Sequence, residues 1–414
     1  MSVDYTTRDS CRVCQSKNLT PLFSLGEQYV SDFPTKENLD KGIKCPIELE
    51  QCNDCTLVQL KHTARQDFLY SRHYWYRSGV THTMRESLRE VTQAIFRQIE
   101  LFPSDVVLDI GSNDGTLLRS YPNSSKLRRV GVEPANNLQE EGKRGIELLI
   151  HDFWNYAAYE QTGLPRAKVI TALGMFYDLE DPNQFIEDIS KTLAFDGIFV
   201  AQLMCLNNMV NIGDIGNLAH EHLEFYTLDS LEFLFDRYGL EIFDVNTNRV
   251  NGQSYRLWVR HRGSPVKAGP GAAYRIQAIR SAEKRLKTAR FYETFFQQME
   301  ENKQHVREFI LEQKAKGKSI WVYGASTKGN VILQYLGLDS TIITGAAERS
   351  PEKWGRYTVG TNIPIFSEVD ARLAKPDYFL VLPYAFKEEF LKREAEWRRQ
   401  GGKFIFPLPE LEVI

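Results

Sequence analysis

The chain has 414 residues, 42% of them hydrophobic and 25% charged, which is ordinary for a globular protein and long enough for two or three buried cores. A formal net charge of −3 with no long basic run gives no electrostatic footprint for a nucleic acid. No apolar run approaches the roughly 18 residues of a membrane span, and the start "MSVDYTTRDS" lacks the basic-then-apolar pattern of a secretion signal, so a cytoplasmic location with reduced thiols is expected.

The first predicted element is a pair of cysteine knuckles. "CRVC" sets Cys11 and Cys14 two residues apart, and "CNDC" repeats the spacing at Cys52 and Cys55. In a reducing compartment two such pairs close a tetrahedron of thiolates around zinc, and four sulfur ligands leave no open position, so the metal is structural. Cys45 and Cys205 have no partner of this kind and read as buried, inert thiols.

The chain then turns α/β. "THTMRESLREVTQAIFRQI" places Met84, Leu88, Val91, Ile95 and Ile99 on one face of an amphipathic helix. "DVVLDIGSNDGTLL" reads as an apolar strand, a glycine turn and a helix, with Gly111 and Gly115 admitting close backbone approach to a ligand. The spacing is not the G-x-G-x-x-G of dinucleotide binding. A second strand ends at Glu133, where a carboxylate can accept from ribose hydroxyls, and a third at Asp152, which could meet an adenine amine. "AKVITALGMFYDLEDP" and "DGIFVAQLMCL" follow as the fourth and fifth strands, around a helix with Phe185, Ile189 and Leu193.

"NLAHEHLEFY" brings His220 and His222 together around Glu221. At helical spacing the histidines diverge, whereas on an extended segment they share a side. A metal pair, a base with its helper and simple packing are all open, although "HEHLEF" does not match the H-E-x-x-H helix. Beyond a Pro/Gly-rich break, a long helical segment runs from about Ile276 to Lys316. "KSIWVYGASTKGNVILQYLGL" is again strand, turn and helix, and its amides suit a phosphate. Lys328 precedes Gly329, the reverse of the Gly-Lys-Ser/Thr order, which argues against a P-loop. Glu348 ends the next strand where a nicotinamide-binding fold keeps its ribose carboxylate, so an NAD site is the rival reading of this region.

"VLDIGSNDGTLL" with "GVEPA" resembles class I S-adenosylmethionine-dependent methyltransferases. The knuckles, "NLAHEHLEFY", "NGQSYR", "VYGASTKGN", "RSPEKWGRYTVGTNIPI" and "PDYFLVLPYAFKEE", in that order, are similar to the sugar C-methyltransferases that act on nucleotide-linked keto-deoxysugars. The resemblance implies an α/β protein with an N-terminal zinc-binding module (1–75), a class I methyltransferase Rossmann-like domain (76–262), a linker and long helix (263–316), and a second, smaller Rossmann-like domain (317–414) that helps bind the sugar nucleotide. It implies S-adenosylmethionine on Asp109, Gly111, Asn113, Gly115, Glu133 and Asp152, and substrate on Ser254, Arg256, Gly324, Ser326, Lys328, Gly329, Asn330, Arg349 and Arg356. His222 matches the family's catalytic histidine, with His220 and Glu221 beside it. Ala219 stands where the family usually has tyrosine, and Tyr76 is the candidate replacement donor; Tyr177 and Asp178 lie around the place of another family histidine. The alternatives are an O- or N-methyltransferase, or a zinc-knuckle binding protein whose methyltransferase-like domain is inactive.

Overall fold

The computed structural model describes residues 4–65, 68–69, 74–248, 250, 253–384 and 387–414. At the N-terminus β1 (Tyr5–Thr7) pairs with β5 (His62–Ala64), while β2 (Leu19–Tyr29), β3 (Lys44–Cys52) and β4 (Val58–Leu60) form an antiparallel meander. The short loops of this module are the cysteine knuckles. Gln15 and Thr56, each one residue past the second cysteine of its pair, take left-handed φ angles of 65° and 66°. Their N–H groups donate back to the carbonyls of Cys11 and Cys52 at 3.0 Å, so both knuckles close by the same turn.

The helix read from the spacing of Leu88, Val91 and Ile95 runs His82–Gln98, buries those three side chains and is capped by Thr81, whose hydroxyl accepts from the Met84 amide. Next come β6 (Val106–Ile110), β7 (Arg128–Val132), β8 (Leu148–Ile150), β9 (Ala167–Leu173) and β10 (Leu193–Met204), all parallel. A two-residue strand, β11 (Glu224–Phe225), leaves this sheet and pairs with β4. β12 (Leu240–Asn248) and β13 (Ser254–His261) complete the sheet antiparallel, in the order β12-β13-β10-β9-β6-β7-β8. The strand order reverses between β6 and β9, which opens a crevice at their carboxyl ends.

The long helical segment is not continuous. It divides into helices Ala272–Glu283 and Ala289–Ala315 around a tight turn, Lys284–Lys287, in which Leu286 is fully buried. At the break the buried Glu283 carboxylate accepts from the Leu228 amide at 2.8 Å and the Tyr255 hydroxyl at 3.0 Å.

The C-terminal sheet contains β14 (Ile320–Tyr323), β15 (Gly345–Glu348), β16 (Ile365–Ser367), β17 (Tyr378–Val381) and β18 (Lys403–Phe406) in parallel, with β19 (Glu412–Val413) antiparallel at the edge. Its order, β16-β15-β14-β17-β18-β19, has its own reversal between β14 and β17. The N-terminal module locks onto this domain. Gln334 accepts from the Tyr29 amide at 2.7 Å and donates to the Tyr29 carbonyl at 3.1 Å, pinning one strand residue from both sides. Among the described residues no helix is long and apolar enough to cross a membrane.

Candidate active site

The zinc site needs little from the fold beyond the two knuckles. Sγ of Cys11 lies 3.4 Å from that of Cys55, and Cys14 is equally far from Cys52. All four sulfurs fall within 4.8 Å of one another. Thiolates about 2.3 Å from a tetrahedral zinc would sit roughly 3.8 Å apart, so the set fits the ion and leaves no position for a substrate. Cys45 and Cys205 are buried elsewhere, and burial pushes their thiols up to about 12 and about 11.

A cavity of about 900 Å³ lies where the two strand-order reversals face each other. At one end is the turn after β6. Gly111 adopts φ +68°, and a Cβ there would meet Met175 Cγ at 3.0 Å; Gly115 adopts φ +77°, and its Cβ would press on the Gly142 carbonyl at 2.9 Å. Asn113 fastens the segment of Tyr76 and Ser78 to this turn: its side chain accepts from the Ser78 amide and donates to the Tyr76 carbonyl, each at 3.0 Å. Glu133 lines the cavity, with one carboxylate oxygen on the Asn113 amide (2.8 Å) and the other on the Ala135 amide (2.9 Å). Each oxygen keeps a further lone pair for a ribose hydroxyl, so the residues fit an adenosyl cofactor.

Two cofactor expectations change. Asp152 does not face the cavity: it is exposed, and it accepts from its own neighbour Phe153 at 2.8 Å and from Asn155 at 3.3 Å. The chain bends outward after β8, and Phe153 and Trp154 take the cavity wall instead. Asp109 is buried inside the sheet, where Thr171 donates to it at 2.6 Å and burial pushes its carboxyl up to about 7. It does not line the cavity.

The His-Glu-His stretch is a turn, neither a helix nor an extended segment. Ile215–Asn217 forms a short 3-10 helix, residues 220–221 turn, and β11 begins only at Glu224. The turn sends the two histidines to different places. His220 leaves the cavity, is 1% exposed, and its Nε2 donates to the Cys45 carbonyl of β3 at 2.8 Å. Glu221 and His222 face the cavity. His222 Nδ1 lies 2.7 Å from the Asn217 carbonyl, which can only accept, so the proton is on Nδ1 and Nε2 carries a free lone pair. Burial and then the Lys328 charge hold this imidazole down to about 3, and burial pushes Glu221 up to about 7.

The other walls come from distant segments. The Tyr177 ring stands edge-on to His222 at 4.8 Å, and its carbonyl accepts from the amides of Leu223 (2.8 Å) and Glu224 (3.1 Å), joining the loop after β9 to the histidine turn. Asp178 lines the cavity beside it, its carboxyl raised well above the usual range by burial and then by Glu221. Tyr76, 48% exposed, opens onto the cavity. Tyr177 and Asp178 were singled out in the sequence, whereas Tyr384, which lines the same cavity, was missed because only the tertiary fold brings the ends of β9 and β17 together.

Of the expected substrate residues, Ser254, Ser326, Lys328 and Arg356 line the cavity. Ser326 caps the helix Thr327–Leu336 by accepting from Gly329, and the Arg356 guanidinium lies 5.0 Å over the Trp75 ring. Gly324 and Gly329 shape this turn against Pro383 and Leu382. The remaining three are engaged elsewhere: Arg256 bonds Gln202 at 3.1 Å and Glu90 at 2.7 Å, Asn330 ties the helix to Ser31 and Asp32, and Arg349 pairs with Glu368 and Glu389. Asn251 and Gly252 of the "NGQSYR" stretch lie outside the described residues. Glu348 does end β15, but one oxygen takes the amides of Arg349 and Ser350, the other sits 3.8 Å from Lys353, and the residue does not line the cavity. The carboxylate of that rival reading therefore stands outside the cavity that the other expected residues line.

Comparison with known proteins places three family models along the chain. A zinc binding domain matches residues 11–70, a methyltransferase domain residues 80–245, and a C-methyltransferase C-terminal domain residues 249–409. C-methyltransferase NovU of Streptomyces niveus is 29% identical over 410 residues, 98% of this chain and 97% of that one. Among solved structures, an S-adenosylmethionine-dependent methyltransferase from Clostridium acetobutylicum ATCC 824 gives a TM-score of 0.33 at 12% identity, covering 45% of this chain and 94% of that one. The magnesium protoporphyrin IX methyltransferase of Synechocystis PCC 6803, with bound S-adenosylhomocysteine, gives 0.34 at 13% identity, covering 45% and 90%.

Proposed function

We propose that this chain, an S-adenosylmethionine-dependent C-methyltransferase with a zinc-binding module, methylates a carbon beside the ketone of a nucleotide-linked 4-keto-deoxysugar. One observation carries the reading: His222 lines the same cavity as Gly111 and Glu133 and as the Ser326–Lys328 turn of the C-terminal domain. A sugar carbon has no lone pair, so it becomes a nucleophile only when a proton beside a carbonyl is removed. The cofactor, when bound, supplies the electrophilic methyl group.

His222 Nε2 is the base of this account, since its tautomer is set by Asn217 and it stays neutral across the neutral range. A base held that low takes a carbon-bound proton only if the charge left on the sugar oxygen is met at once. Lys328, on the same wall, is the cation for that role, with the Tyr177 hydroxyl as a second donor. The Ser326–Lys328 turn at a helix N-terminus and the Arg356 guanidinium over Trp75 suit the phosphates of a nucleotide.

Incubation with carbon-13-methyl-labelled S-adenosylmethionine and a panel of nucleotide-linked 4-keto sugars tests this. A new carbon-bound methyl signal is expected. A methyl on oxygen or nitrogen would transfer the chemistry to the alternative class, and a chain that binds no cofactor by calorimetry would be a binding protein.

A further inference from the structure

We propose that Arg12, inside the first cysteine knuckle, is a positioning residue for methyl transfer, clamping from behind the two loops that carry the reactive wall of the cavity. The proposal rests on the assignment of His222 and its neighbours made above.

Arg12 has no exposed surface and does not itself line the cavity, which it reaches only through Glu180, a residue of the cavity wall. Its Nη1 donates to the Leu60 carbonyl at 2.5 Å and its Nη2 to the Thr63 hydroxyl at 2.6 Å. The same guanidinium faces two carboxylates, Glu180 at 3.5 Å and Glu224 at 3.7 Å, and the Glu224 side chain is as fully buried as Arg12 itself. Glu180 belongs to the loop after β9, which contributes Met175, Tyr177 and Asp178 to the cavity. Arg8 and the Thr63 hydroxyl each donate to Glu180 at 2.6 Å, so its carboxylate is held on both oxygens. Glu224 stands two residues after His222, and its second oxygen accepts from the Leu179 amide at 3.3 Å. One buried cation thus sits between the loop of Tyr177 and the turn of His222, where those loops are already stitched by the Tyr177 carbonyl.

The cation's own position is set by the knuckle. Arg12 lies between Cys11 and Cys14, and the carbonyls of Arg12 and Val13 accept from one Asn183 amide at 2.7 and 3.0 Å. β4, which leaves the second knuckle, pairs with β11 directly after the histidine turn, and Leu60 donates to the Leu223 carbonyl at 2.9 Å. A metal-closed knuckle therefore fixes the guanidinium, and the guanidinium fixes the spacing of His222 from the loop of Tyr177 and Asp178. Buried ion pairs contribute little net stability compared with apolar packing, so what Arg12 contributes is loop placement. An apolar side chain of similar length would fill the space without holding either carboxylate.

Three variants of the full chain test this: Arg12→Met, Arg12→Lys, and Arg12→Met with Glu224→Gln. Arg12→Met should keep its zinc by elemental analysis and its S-adenosylmethionine affinity within about twofold, while kcat falls at least about 30-fold with little change in KM, as expected when geometry rather than binding is lost. Hydrogen exchange should rise in residues 174–181 and 217–226 and stay at the wild-type level in 106–116. Arg12→Lys should recover part of kcat, because an ammonium can reach the same carboxylates. The double variant leaves no stranded carboxylate, so it should regain thermal stability without regaining kcat, and it carries the test if Arg12→Met does not fold. Wild-type kcat and unchanged loop exchange in Arg12→Met would overturn the proposal, as would full kcat in the double variant. A wild type that fails to methylate the keto sugar would refute the substrate assignment, and the exchange comparison would then decide the role of Arg12 alone.

Discussion

His220 and His222 sit one residue apart yet should respond to substitution in different currencies, the first in stability and the second in turnover. His220 is buried and spends its Nε2–H on the Cys45 carbonyl of the zinc module. In His220→Leu that carbonyl loses its donor in a dry interface, which costs about 1–3 kcal/mol. His220→Gln can still donate, so its loss should be smaller, and it removes the titration. Burial holds the folded imidazole down to about 4, below the 6.5 of an unfolded histidine, so the native form is neutral. The resulting stabilisation is complete above pH 6.5 and is lost as pH falls toward 4. At pH 5 the wild type should have given up about 2 kcal/mol relative to pH 7.5 that His220→Gln does not give up. Taking the difference between the two proteins matters, because Asp109, Glu221 and Glu283 are pushed up to about 7 and drive the absolute pH trend the other way. Urea unfolding of both proteins at the two pH values measures it. Parallel pH trends, or a turnover loss in His220→Gln as large as that of His222→Asn, would refute this placement of His220.

Metal analysis should find one zinc per chain, and Cys52→Ser should lose it and loosen the contact between β4 and β11, seen as faster hydrogen exchange in both segments. Glu133→Ala should weaken S-adenosylmethionine binding by about 1–3 kcal/mol in calorimetry, since a charged acceptor of ribose hydroxyls is lost. NAD should not bind with comparable affinity, and tight NAD binding abolished by Glu348→Ala would reverse the reading of the C-terminal turn.

What was legible in the sequence was local. The cysteine spacing encodes its own turn, and Gly111 and Gly115 encode the sharp exit from β6, so neither needed the rest of the chain. The parallel sheet could be read because β6 and β9 are buried on both faces and nearly continuous in apolar residues. The direction of a side chain in irregular backbone was not legible. His220 and His222 part company because Asn217 and Cys45, one near and one 175 residues away, each offer a carbonyl on a different side of the turn. Asp152 follows β8 as expected, but the bend after that strand leaves it exposed and off the cavity wall, which Phe153 and Trp154 line, and no local pattern announces that bend. Arg256, Asn330 and Arg349 carried polar groups in promising motifs, but their partners Glu90, Ser31 and Glu368 come from segments whose proximity no local pattern announces.

The central claim is that His222 removes a proton from the carbon beside a sugar ketone. In deuterated water, with S-adenosylhomocysteine in place of the methyl donor and a nucleotide-linked 4-keto sugar bound, methylation is blocked but proton removal is not. Carbon NMR of the recovered sugar should show deuterium at that carbon for the wild type. For His222→Asn the exchange rate should fall roughly 10²- to 10⁴-fold, with cofactor affinity nearly unchanged. Deuterium entering at the wild-type rate in the His222 variant would contradict the account and move the base to another group on the same wall.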